Sequence, residues 1–311
     1  MNRVLQHLGT SYPIVQSPMG FIARSQLASA VCHAGGLGVI ETSSGEVHIC
    51  KQEILKMKSL TDKPFGVNLP LMLLKDDTLV KFVAKQGVRF VTTSAGNPAK
   101  FIGPLKHAGI TVYHATATLK GALKSVEAGV DGLIVEGNEG GGFKNPDPVS
   151  TLVLLQAIRQ HSDIPMIAAG GIVDGHGMAA AFAAGAEGIQ MGTRFVASVE
   201  SPVHPNFKQA ILDSPDTGTW VVNENTRRPM RALKTATTAK IRAMGKMPKE
   251  GMMDIEKVYF GGDMEASVAV VGQSVGLIDK IDTVANIIKK TIDQFFEAQD
   301  HAAARAESRS F

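Results

Sequence analysis

The chain has 311 residues, 44% hydrophobic and 20% charged, enough for one large globular domain or a domain carrying an inserted lobe. Its 32 Lys and Arg against 29 Asp and Glu leave a formal net charge of +3, too weak a field of one sign to grip a nucleic-acid backbone. No apolar run approaches the roughly 18 residues of a membrane helix, and the first ten residues lack the pattern of a secretion signal. The expectation is a cytoplasmic chain with neither a membrane nor a nucleic-acid partner.

In chain order, short apolar or β-branched runs alternate with longer Ala-, Leu- and Lys-rich helical runs. The predicted strands are Ile14–Gln16, Leu37–Ile40, Phe65–Asn68, Phe90–Thr92, Thr111–His114, Gly132–Val135, Met166–Ala169 and Gly188–Met191. Ala34-Gly35-Gly36, Gln86-Gly87, Ala108-Gly109, Ala128-Gly129 and Ala184-Gly185 each set Gly where a left-handed helix stop wants it. Eight such strands in a chain of this length favour a closed (βα)8 TIM barrel over an open doubly wound sheet. Cys32 and Cys50 lack CxxC spacing and are expected to be spectator thiols.

After Arg194 the rhythm breaks. Residues 202–262 are expected to form a mostly helical lid or lobe inserted into a barrel made of residues 1–201 and 263–311. Arg227, Arg228, Arg231, Lys234, Lys240 and Arg242 could draw in an anion, although a solvated helix face explains most such runs. Ile281, Val284, Ile287, Ile288, Ile292, Phe295 and Phe296 fall at helical spacing and predict a C-terminal helix with one buried face. Residues 301–311 read as a frayed polar tail.

Barrel chemistry sits at strand C-termini, so the residues just past each predicted strand are the candidates. The last two strands run into Ala169-Gly170-Gly171 and Gly192-Thr193, two glycine-bearing turns whose backbone N–H groups can converge on one phosphate. Thr193 adds a hydroxyl donor. The first strand leads to Pro18-Met19-Gly20, where a soft thioether can lie along a flat ring. Asn68 ends the third with an amide that both donates and accepts. Glu136 ends the sixth, before the glycine loop Gly140-Gly141-Gly142-Phe143. Each signal alone has an ordinary structural explanation; their shared position at strand ends is the argument.

Several longer motifs carry a family resemblance. YPIVQSPMG near the start, AGGLGVI at residues 34–40, KPFGVNL at residues 63–69 and IAAGGIVDGHGMAAAFAAGAEGIQMGTRF at residues 167–195 occur with SPVHPNFK at 201–208 and VGQSVGLI at 271–278. With these the sequence resembles the FMN-dependent nitronate monooxygenases, formerly called 2-nitropropane dioxygenases, and their relatives the FMN-dependent enoyl-ACP reductases and an NADH:quinone reductase. The resemblance spans almost the whole chain. It implies noncovalent FMN, with Pro18 and Met19 on the flavin ring, Asn68 at its pyrimidine side, Glu136 on the ribityl chain and Gly141 and Gly142 lining the ring. It further implies that Ala169, Gly170, Gly171, Gly192 and Thr193 hold the phosphate and that Gln273 reaches back from the C-terminal part. Some members carry Ser at the position of Ala169 and Lys at that of Ala115.

The departure is Phe143, at a position where members commonly have a histidine that moves the substrate proton; phenylalanine can do neither acid nor base work. His114 is the positional candidate to substitute, with His176 and His204 behind it. Phe143 fits neither branch cleanly; oxidation of alkyl nitronates with O2 is the leading expectation because the whole-chain pattern is broadest there, and an already ionised nitronate needs no strong base. An NAD(P)H-dependent reductase of quinones or enoyl thioesters is the alternative, with the nicotinamide as co-substrate. A flavin-free phosphate-binding lyase or isomerase and a silent flavin binder complete the set. The substrate is expected to be a small molecule, no metal site is expected, and a homodimer is left open.

Overall fold

The computed structural model describes residues 2–248 and 254–308. Its strands are β1 (Ile14–Gln16), β2 (Val39–Ile40), β3 (Gly66–Pro70), β4 (Phe90–Ser94), β5 (Thr111–Thr116), β6 (Gly132–Glu136), β7 (Gly142–Phe143), β8 (Met166–Ala169), β9 (Gly188–Met191), β10 (Thr219–Val222) and β11 (Met230–Leu233). Eight of them form one parallel sheet in the order β1-β9-β8-β6-β5-β4-β3-β2. A parallel bridge between Val15 and Leu37 joins its two edges, with Leu37 N–H donating to Ile14 at 2.8 Å and Gln16 N–H to Leu37 at 2.9 Å. The sheet thus closes into the expected TIM barrel. Helix stops at Gly35, Gly87, Gly109, Gly129 and Gly185 all have φ between 70° and 101°, the left-handed conformation that glycine adopts without penalty.

Side-chain alternation divides each strand between two cores. Val15, Val39, Phe90, Tyr113, Ile134, Ile167 and Ala169 fill the barrel interior, with Val4 and Leu8 of the first helix packed into the same cluster. Their neighbours Ile14, Ile189, Val135 and Ala168 pack outward, as do Val67, Val91 and Val112. Burial on both faces explains why the strands read as continuous apolar runs. Gly132 has a packing reason: a Cβ there would lie 2.1 Å from the Tyr113 ring.

Among its described residues the segment 202–262 has more helix than strand, as expected, and adds a strand pair that was not expected. Helices Pro205–Leu212, Ala236–Met244 and Ile255–Tyr259 are present, but β10 and β11 pair antiparallel and β11 also pairs with β7 of the glycine loop. The β10 and β11 runs are only four residues each, too short for periodicity to separate from helix, and cross-strand pairing decides them.

The C-terminal helix runs Val284–Glu307, so residues 301–307 of the expected frayed tail are helical, and its residues 309–311 lie outside the described residues. It buries Val284, Ile287, Ile288 and Thr291, whereas Ile281 and Phe296 are exposed. Gly175 lets it approach: a Cβ there would meet the Phe295 backbone N at 2.3 Å. Both cysteines are buried, and burial pushes each thiol up to about 11. Among the described residues no helix is long and apolar enough to cross a membrane.

Candidate active site

Alternation from the barrel core places Asn68, Thr92, Ala115, Glu136, Ala169 and Gln190 inward at the C-terminal ends of their strands. Together they form a ring at the barrel mouth, polar at Asn68, Thr92, Glu136 and Gln190 and small at the two alanines. The Asn68 amide is oriented: its Nδ2 donates to Thr92 Oγ1 at 2.8 Å, leaving Oδ1 with no partner among the described residues. Gln190 completes the ring. Its Nε2 reaches Ser17 Oγ at 3.4 Å, and its buried Oε1 accepts no hydrogen bond from the described residues. A buried acceptor without a donor is costly unless a ligand supplies one. Sequence reading missed Gln190; the available signal was a polar residue two positions after Gly188, on the same face of a short strand.

The two late turns leave backbone donors unpaired among the described residues. Gly170 and Gly171 have φ of 92° and 78°. The N–H groups of Gly171, Gly192 and Thr193 find no acceptor among the described residues. The Thr193 hydroxyl accepts the N–H of Gly272 at 2.8 Å, which leaves its own proton to donate. A Cβ on Gly192 would come 3.4 Å from Ser17 Cβ and 3.6 Å from Met19 Sδ, so this turn, Ser17 and Met19 share one space. The helix after Gly171 begins only at Gly175 and is capped by Asp174, which accepts from Gly177 N–H at 2.9 Å. The Gly170-Gly171 turn therefore offers loop amides rather than a helix N-terminus.

The glycine loop is laced to these turns. Gly137 N–H donates to Ala169 at 3.1 Å and Gln273 N–H to Glu139 at 2.7 Å. A Cβ on Gly141 would sit 2.7 Å from the Val271 backbone. Gln273 reaches the loop through its backbone while its side chain is exposed. The Glu139 carboxylate turns away, accepting from the Thr151 backbone N–H and hydroxyl at the start of the helix Thr151–Arg159. Pro18 and Met19 are half-buried beside the mouth.

Of the six basic residues expected to draw in an anion, Arg231 alone is buried. Its Nε donates to the Asn138 carbonyl at 2.9 Å and so ties β11 to the glycine loop. Arg227, Arg228, Lys234, Lys240 and Arg242 are exposed, with Lys234 and Arg242 over the Trp220 ring.

The histidines do not gather at the mouth. His114 lies between Tyr113 and Ala115, both inward, and so faces out of the barrel wall. Its Nδ1 is 2.8 Å from Thr93 Oγ1, and burial lowers its pKa to about 4. It borders a cavity of about 520 Å³ with Asn97, Gly121 and Lys124, separate from the mouth. His176 is exposed, and His204 caps the helix Pro205–Leu212. Phe143 is 66% exposed on β7.

Free backbone amides after β8 and β9, with the side-chain amides of Gln190 on β9 and Asn68 on β3, give the barrel mouth a cluster of hydrogen-bonding groups of the kind that marks an enzyme's binding site. The chain matches the sequence model described as Nitronate monooxygenase over residues 2–79 and 72–294, and it belongs to that family of flavin oxidoreductases. It is similar to the "(3aS,4S,5R,7aS)-5-hydroxy-7a-methyl-1-oxo-octahydro-1H-indene-4-carboxyl-CoA dehydrogenase" of Mycobacterium tuberculosis, 36% identical over 237 residues, 75% of this chain and 66% of that protein. A nitronate monooxygenase of Paraburkholderia phytofirmans is 29% identical over 282 residues, 76% of this chain and 77% of the relative. Among solved structures, FabK from Thermotoga maritima superposes with a TM-score of 0.92 at 39% identity, covering 98% of this chain and 99% of that one.

Proposed function

We propose that this chain is an FMN-dependent oxidoreductase that oxidises alkyl nitronates, with O2 as electron acceptor. The observation that carries the reading is the match to the nitronate monooxygenase family over residues 2–79 and 72–294; His114, His176 and His204 stand away from the mouth, so a substrate that arrives already ionised suits the site. The two late turns make a cradle that fits FMN in particular. Gly171, Gly192 and Thr193 offer three unpaired N–H donors and one hydroxyl for a phosphate monoester. Asn68 Oδ1 and Gln190 Oε1 are acceptors for ring N–H groups, and Met19 supplies a polarizable face. Bound FMN would supply the two-electron chemistry, while the chain orients the ring and excludes water.

Residues 202–262 are proposed as the lid and substrate lobe on a barrel of residues 1–201 and 263–311. The pairing of β11 with β7 and the bond from Arg231 to Asn138 support this, because they couple the segment to the loop over the mouth.

A second reading, NAD(P)H-linked chemistry on an acyl thioester, is favoured by the likeness to FabK and to a carboxyl-CoA dehydrogenase. Anaerobic stopped-flow mixing separates the two. Bleaching of the yellow protein by propionate 3-nitronate supports the first, and bleaching by NADH or NADPH alone supports the second. A protein that takes up no FMN sinks both.

A further inference from the structure

The glycine loop delivers a side chain to the mouth, but it is not residue 143. Along β7 and the residue after it, successive side chains alternate. Phe143 turns to solvent, and Lys144 turns inward with its side chain 4% exposed. Its Nζ pairs with Glu136 Oε1, the inward residue that ends β6. The Lys144 backbone N–H donates to Pro229 at 2.8 Å, which fixes the residue on the inserted segment. Gly140 makes room for the pair: a Cβ there would fall 2.6 Å from Glu136 Oε1 and 2.8 Å from Lys144 Nζ. Alternation, burial of the lysine and this glycine are three separate observations of one ion pair beneath the loop, its ammonium buried and its carboxylate partly exposed.

From these we infer that Lys144 is a positioning residue for Glu136. It occupies Oε1, which leaves Oε2, without a partner among the described residues, to accept a polyol hydroxyl of the cofactor. Without the ammonium, an unpaired carboxylate would stand next to a phosphorylated, anionic ligand. The inference rests on the FMN reading above.

The test is FMN titration of the full-length apoprotein by fluorescence quenching, alongside the melting temperature of each apoprotein. Lys144→Met should weaken FMN binding by about tenfold, the scale of one charge-assisted hydrogen bond, and Lys144→Arg should recover part of it. Glu136→Gln combined with Lys144→Met should bind more tightly than Lys144→Met alone, because the uncompensated charge is gone. That recovery in FMN affinity is a signature a purely structural lysine would not produce. Should Lys144→Met fail to fold, Lys144→Arg and the double variant carry the comparison. Wild-type affinity in Lys144→Met, or a double variant no tighter than the single, overturns the inference. A wild-type protein that binds no FMN overturns the functional reading itself and is recognised before any variant is made.

Discussion

Thr193 and Gly272, 79 residues apart, are joined by a 2.8 Å hydrogen bond in which the threonine hydroxyl accepts the glycine N–H. The bond links the turn after β9 to the segment that leads into the C-terminal part, and it aims the hydroxyl proton away from Gly272. Thr193→Val removes both the acceptor and the remaining donor. FMN affinity is expected to fall about tenfold and thermal stability to drop modestly, with Thr193→Ser retaining most of each. Equal affinity in Val and wild type would remove Thr193 from the cradle.

Gly192 has φ of −109°, which any residue adopts, and a Cβ there makes only ordinary contacts at 3.4 and 3.6 Å. Gly192→Ala should therefore leave the apoprotein melting temperature within about 2 °C of wild type. Gly192→Leu should fill the shared space beside Ser17 and Met19 and weaken FMN binding at least about tenfold. An unchanged dissociation constant in the Leu variant contradicts the placement.

Gly132→Ala tests the barrel interior. Its new Cβ would overlap the fully buried Tyr113 ring at 2.1 Å, whose hydroxyl is itself held at 2.9 Å by His7 Nδ1. Overpacking of this kind should cost about 3 kcal/mol. Urea unfolding measures it, and a loss under about 0.5 kcal/mol would mean the ring moves freely.

His114 gives the fold an acid sensitivity. Its pKa falls to about 4 in the folded chain from an ordinary value near 6.5 when unfolded. Between those values the unfolded state binds the extra proton, so stability is full above about pH 6.5 and declines as pH falls toward 4, by about 1–3 kcal/mol. His114→Gln should flatten that part of the profile. Parallel stability curves for the two proteins from pH 7 to 4.5 would refute it.

Phe143→His restores an ionisable ring at the end of the glycine loop. Because residue 143 faces solvent on β7, turnover of neutral nitroalkanes and of preformed nitronates should both stay within about twofold of wild type. Steady-state oxygen uptake on both substrate forms reads the effect. A selective rise with neutral nitroalkanes would show that residue 143 reaches the substrate proton.

The order and number of barrel strands were determined by the sequence alone, because each is a local run, and helix stops at residues 35, 87, 109, 129 and 185 mark their starts with a glycine that the backbone needs in left-handed conformation. The glycine turns at 170–171 and 192 were legible in position for a related reason: each directly follows a predicted strand. Which way a side chain points was decided by tertiary structure. Pairing register put Tyr113 inside and His114 outside, and a one-residue shift would have exchanged them. Gln190 joined the mouth only because β9 closes between β8 and β1. Lys144 became a partner of Glu136 only once β11 drew β7 into a second sheet and turned the loop's next side chain inward. Local spacing encodes the period of an element; the faces that meet across a barrel mouth come from residues far apart in the chain, and only the closed ladder brings them together.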